Sequence, residues 1–186
     1  MGLQNIFMIT FAGLPKNRAS IIAFGFKEIG PYYWVGNGKN GIDYYAGQTF
    51  RAPVQGILKS IKLFSSVVYG STDATLSIYE FDPVNYAWKE KRAEATKFIT
   101  KALESQWIAF DLPEVEVKKD GYYAFKLSCK GSGMLAIAEC PWNITNPYAE
   151  GVEWVGSSYL KEGNFNKDFD LAFEGEIEAS SDIKFI

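Results

Sequence analysis

Carboxylates, tyrosines, lysines and two cysteines are the side chains available for chemistry in this chain, because its 186 residues include no histidine. Without imidazole there is no Ser-His or Cys-His dyad, no ordinary general base at neutral pH, and no use of the commonest zinc ligand. The densest acidic run is Asp168-Phe169-Asp170-Leu171-Ala172-Phe173-Glu174, continued by Glu176 and Glu178. On an extended strand, carboxylates two residues apart project from one side at ~6.5–7 Å, a separation glycoside hydrolysis can use. The same oxygens, with loop carbonyls, suit a structural calcium ion, which makes Asp168 and Asp170 the metal candidates. No Asp-x-Asp-x-Asp-Gly loop accompanies them.

Aromatic residues offer a second chemistry. Between Cys140 and Tyr159, Trp142, Tyr148, Trp154 and Tyr159 are interleaved with Asn143, Asn146, Glu150, Glu153 and Ser157, in a segment broken by Pro141 and Pro147. Sugar rings stack their C–H faces on Trp and Tyr while their hydroxyls need amide and carboxylate partners, so such a loop suits a saccharide. The competing reading is that these rings plug one end of the fold with their polar tips in water. A second patch, Tyr32, Tyr33, Trp34, Tyr44 and Tyr45, flanks the Gly36–Gly41 loop. It fits a groove, a contact with another subunit, or packing beneath the loop. Tyr86 and Trp88 form a third patch. The ligand-binding candidates are Trp142, Asn143, Tyr148, Trp154, Tyr33 and Trp34.

The elements that must position these residues read as strands. Turn signals such as Leu14-Pro15-Lys16-Asn17, Gly30-Pro31, Asp82-Pro83, Lys119-Asp120-Gly121 and Lys130-Gly131-Ser132-Gly133 separate short segments of period-two alternation. In Asp168–Glu178, Phe169, Leu171, Phe173 and Ile177 point inward and the acids point to water. The inward sets elsewhere are Ile57, Ile61 and Leu63; Leu76 and Ile78; Ile108, Phe110 and Leu112; and Tyr123, Phe125, Leu127 and Cys129. Less sharply patterned strands are expected over Ile6–Phe11, Ser20–Lys27, Tyr32–Val35 and Ile42–Phe50. Residues 93–104 have apolar residues at helical spacing, yet contain Thr96 and Thr100 and sit inside an apparent meander. The reading is a short strand plus loop, with one short surface helix near 93–104 as the alternative.

Met134–Glu139 is expected to complete a hairpin with Tyr122–Cys129. In that hairpin Cys129 and Cys140 stand ~20 Å apart, against the ~7 Å a disulfide tolerates, so no disulfide is expected.

Composition sets the outer limits. Hydrophobic residues make up 47% and charged residues 22%, enough apolar material for a core, and the 16% aromatic share favours strands. The net charge is −3 and the basic residues of Lys89–Lys101 alternate with Glu90 and Glu94, so no counterion-releasing stripe for nucleic acid exists. No apolar run approaches the ~20 residues of a membrane span. The apolar stretch Ile6–Leu14 lacks a preceding Lys or Arg and a closely following small-residue cleavage site, so it does not read as a signal peptide.

Residues 45–173 resemble the jelly-roll β-sandwiches of the galactose-binding-like and carbohydrate-binding-module type. The resemblance is carried by Ala46-Gly47-Gln48-Thr49-Phe50, Leu58-Lys59-Ser60-Ile61-Lys62-Leu63 and Leu76-Ser77-Ile78-Tyr79. It continues through Trp107-Ile108-Ala109-Phe110-Asp111-Leu112, Gly121-Tyr122-Tyr123-Ala124-Phe125 and Asp170-Leu171-Ala172-Phe173. It leaves residues 1–44 as N-terminal strands outside the match. It implies an all-β antiparallel sandwich of jelly-roll topology, with residues 1–186 forming one domain. It also implies a non-catalytic module binding carbohydrate through loop aromatics, with no cofactor unless calcium is structural. Some jelly-roll glycosidases carry a Glu-x-Asp-x-Glu or Glu-x-Asp-x-x-Glu strand, which Asp168–Glu174 loosely resembles. Here, though, the first acid is Asp and the last falls one or two residues late. Two rivals therefore stand beside the saccharide reading: a structural or adhesive surface or phage-particle protein that self-associates, and a glycosidase acting through Asp170 and Glu174. The compartment is left open, with an extracellular or cell-surface setting the one favoured.

Overall fold

Period-two alternation becomes strand almost throughout the computed structural model, which describes residues 20–39 and 41–180. The strands are β1 (Ile21–Phe26), β2 (Tyr32–Asn37), β3 (Asp43–Arg51), β4 (Gly56–Tyr69), β5 (Thr72–Asp82) and β6 (Ala87–Ile99). They continue with β7 (Gln106–Val117), β8 (Tyr122–Lys130), β9 (Met134–Ala138), β10 (Glu153–Ser157), β11 (Asn164–Asn166) and β12 (Phe173–Ala179). The expected strand at Ile6–Phe11 and the turn at Leu14–Asn17 lie outside the described residues. Residues 93–99 belong to strand β6, and a 3-10 turn at Lys101–Leu103 follows where a surface helix was the alternative. No helix among the described residues is long and apolar enough to cross a membrane.

All the pairings are antiparallel, and the hydrogen bonds link the strands in the order β1-β12-β4-β9-β2-β3-β8-β5-β6. β7 pairs with β4, and β10 lies between β3 and β11. The long β4 serves two neighbours on one edge, β12 along Gly56–Leu63 and β9 along Ser65–Tyr69. Register shifts at Leu58/Ser60 and Ser65/Val67 bend and twist it. The sheet thereby curls into a half-barrel whose interior holds Leu58, Ile61, Phe110, Phe125, Leu127 and Phe173, each at most 2% exposed.

Segments before residue 45 are integral to this sheet. β1 pairs with β12 along its whole length. The ring of Phe24 lies where a Cβ on Gly175 would stand, 2.2 Å from its Cζ, so the glycine makes room for the aromatic.

Three expectations need correction. β8 and β9 form no hairpin: β8 pairs with β3 and β5, and β9 with β2 and β4. The connection around Gly131, at φ 117°, carries the chain across, and Gly133 sits so close to Ser71 that a Cβ would lie 2.3 Å from its carbonyl oxygen. Cys129 and Cys140 are free thiols, as expected, but no β8–β9 hairpin sets their separation. In β4 the bulge places Leu58 rather than Ile57 in the core. Asp170 does not face water; it is 0% exposed, because β12 begins only at Phe173 and the alternation does not extend back to it.

Candidate functional site

A split in the sheet makes an aromatic cleft. β2 follows β9 from Tyr32 to Gly36, but meets β3 only at Gly36↔Tyr44 and Asn37↔Asp43. Gly36 permits the divergence: its φ is +122°, and a Cβ there would stand 2.8 Å from the Gly133 carbonyl oxygen. Between the parted strands opens a cleft of about 370 Å³ lined by Tyr32, Tyr33, Trp34, Tyr44 and Met134. Tyr32 is 47% exposed and its ring meets Trp34 edge-to-face, with centroids 5.7 Å apart. Such a pair holds itself in place and leaves apolar ring surface exposed in the cleft.

Behind the cleft lies a buried acidic cluster. Glu153 pairs with Gln48 across β10 and β3 and is 2% exposed. Its Oε2 accepts from Asn166 Nδ2 at 3.5 Å, while Oε1 is buried with no ordinary donor. The Glu139 carboxyl stands against it, and two carboxyls can hydrogen-bond only if one keeps its proton. Burial and the neighbouring Glu139 charge push the Glu153 carboxyl up to about 8, and burial raises Glu139 as well. Tyr33 links this cluster to the cleft. Burial first, then the charge of Glu153, pushes its phenol above the ordinary tyrosine range.

Asp170 completes the cluster. Gln48 Nε2 donates to its Oδ1 at 2.6 Å and the Tyr148 amide to its Oδ2 at 3.1 Å. Burial nevertheless raises it to about 6. Gln48 Oε1 accepts the Leu171 amide at 3.0 Å, which fixes the orientation of the Gln48 amide. The Asp170 amide donates to Cys140 Sγ at 3.5 Å, and burial raises that thiol.

Glu139 and Glu153 titrate as a linked pair, and such a pair holds a proton between the two carboxyls. Among the described residues no group of three or more His, Cys, Asp or Glu is placed to hold a metal ion. Asp168 is exposed. Glu174 is ion-paired to Lys27 at 2.7 Å and Lys62 at 3.0 Å, and hydrogen bonds from these lysines hold it below the usual carboxylate range.

The remaining sequence candidates are dispersed. Tyr33 and Trp34 share the cleft. Trp142 is 75% exposed and Asn143 exposed, on the loop that leaves the Gly30–Glu139 and Glu139–Pro31 backbone hydrogen bonds at the start of β2. Tyr148 packs edge-on against Phe173 at 5.1 Å. Trp154 is 2% exposed, and its indole N–H donates to the Glu162 carbonyl at 3.1 Å, so it is a packed wall rather than an open stacking platform. Met134, Glu139 and the buried role of Glu153 have no signal in the local pattern, since each depends on which strands become neighbours. No protein-family model matches this sequence, and no curated protein matches it.

Proposed function

We propose that the protein is a non-catalytic binding module whose cleft at Tyr32, Tyr33, Trp34, Tyr44 and Met134 takes a saccharide. The observation that carries this reading is the cleft itself, about 370 Å³ and walled by four aromatic rings. That volume falls within the ~300–1,000 Å³ of small-molecule sites, and the ring surfaces suit sugar C–H faces. The finer architecture proposed is a jelly-roll sandwich. It is supported by core residues from β4, β7 and β12 that share one cluster with those of β3, β5 and β8.

A glycan panel read by tryptophan fluorescence tests the reading. A binding glycan changes the emission, and Trp34→Ala or Tyr32→Ala abolishes the response while the protein stays folded. Binding that survives both substitutions refutes the cleft. One observation favours self-association instead: Trp142 is 75% and Tyr159 88% exposed. Concentration-dependent sedimentation lost on Trp142→Ser would support that second reading.

A further inference from the structure

The outer face of β10, β3, β8, β5 and β6 carries a second site. One rung of the sheet runs Trp154–Gly47–Lys126–Ser77–Glu94 across these five strands. The rungs on either side add Tyr79 with Lys91, and Thr75 with Thr96 and Ser128. Lys126 stands in the middle. Its Nζ lies 4.3 Å from the centre of the Tyr45 ring and 5.2 Å from that of Trp154. Among the described residues no carboxylate is within salt-bridge distance of it, whereas Lys62, also on a strand, is held by Glu174 at 3.0 Å and Glu176 at 2.5 Å.

Two adjoining hollows meet at Lys126 and Tyr79. One, of about 490 Å³, is lined by Thr75, Ser77, Thr96 and Ser128, whose hydroxyls bond to one another, to Glu94 and to the Thr75 carbonyl and keep lone pairs free to accept. The other, of about 190 Å³, is walled by Trp88 and Trp154. Lys91, Lys126, Lys130 and Lys161 line these hollows against Asp43 and Glu94, a cationic excess on a chain whose net charge is −3.

We propose that this face binds an acidic sugar of the uronate class, with Lys126 receiving the carboxylate. A half-buried ammonium that lacks a counterion gains most from an anion delivered into its own partly desolvated setting. Burial lowers the Lys126 ammonium from its ordinary range, as expected of a cation compensated only by ring faces. The Thr and Ser hydroxyls around it supply partners for sugar hydroxyls, and Tyr45, Tyr79 and Trp88 supply surface for ring C–H groups. The site is separate from the Tyr32–Trp34 cleft and does not depend on it.

The test compares sodium galacturonate with galactose on the intact chain. Trp88 and Trp154 emission and two-dimensional amide spectra report binding. Galacturonate is expected to bind at least tenfold more tightly than galactose, with affinity falling as salt rises. Lys126→Met removes the preference and keeps the thermal midpoint, Lys126→Arg retains a preference, and Trp34→Ala changes nothing at this face. Equal affinity for the two sugars, dissociation constants above ~10 mM for both, or a preference untouched by Lys126→Met overturns the proposal. If Lys126→Met fails to fold, a loss of preference in Lys126→Arg together with salt-independent binding overturns it equally.

Discussion

Replacing Glu153 by glutamine should make the protein's stability far less sensitive to pH. The native carboxyl titrates at about 8 against an ordinary 4.5, so the folded state keeps a proton that the unfolded chain has released. For a group raised in this way, stability is full below the unfolded value and falls as pH rises toward the folded one. One such proton contributes a slope of about 1.4 kcal/mol per pH unit. Between about pH 5 and pH 7.5 that amounts to about 3 kcal/mol for the Glu139–Glu153 pair, which titrates as a unit. Asp170, raised to about 6, acts in the same direction over the lower part of the range.

Lowered carboxylates such as Glu174 act in the opposite sense, but their contribution is complete once pH exceeds the unfolded value of 4.5. Stability should therefore peak near pH 5. The assay is urea unfolding at several pH values. With slopes of ~1–3 kcal/mol per molar urea, the wild-type midpoint should drop by about 1 M or more across the interval. In the Glu153→Gln variant the new side chain is uncharged at every pH and can donate its amide to Glu139, so most of that drop disappears. Glu139→Gln should flatten the profile in the same way. Parallel wild-type and Glu153→Gln profiles would refute the reasoning, because they would mean that the pair holds no proton.

Phe173→Ala should cost ~3–5 kcal/mol in urea unfolding, since the ring is 0% exposed and meets Phe125, Tyr148 and Phe24 at 5.5, 5.1 and 6.1 Å. A loss under ~1 kcal/mol would show that the core does not centre on β12. Gly25→Ala should destabilise by about 2 kcal/mol or more. Its φ is +121°, and the added Cβ would meet the Phe173 carbonyl oxygen at 2.3 Å. Faster amide exchange confined to β1 and β12 is the expected signature, and unchanged exchange there would count against it.

Side-chain alternation told inside from outside wherever a strand ran without interruption. Leu76, Ile78, Phe110, Phe125, Leu127 and Phe173 occupy the interior because a period of two leaves each strand one apolar face. The same logic failed wherever the ladder slips. The bulge in β4 exchanged Ile57 for Leu58, and the start of β12 at Phe173 cut Asp170 loose from the phase of its neighbours. Pairing was less legible than orientation. Residues 122–139 look like a hairpin locally, but β8 is drawn to β5 and β3, and β9 to β4 and β2, by apolar faces that no short window contains. The aromatic cleft was half visible, since Tyr32, Tyr33, Trp34 and Tyr44 are clustered in sequence. The acids behind it were not, because Glu139 and Glu153 meet only once β9 and β10 have found their separate partners.

The local rules are broken in one place above all. A fold optimised for stability alone would fill the space around Glu139, Glu153 and Asp170 with apolar side chains, since buried carboxyls are costly and apolar replacements of similar volume are commonly neutral or better. Instead Gln48 is committed to holding Asp170, and Glu153 keeps a proton at the expense of stability at neutral pH. Tyr33 belongs both to this cluster and to the wall of the cleft. Departures from local consistency concentrate where function competes with stability. Because Tyr33 ties this burial to the aromatic cleft, we propose the cleft rather than the exposed Trp142 loop as the saccharide site.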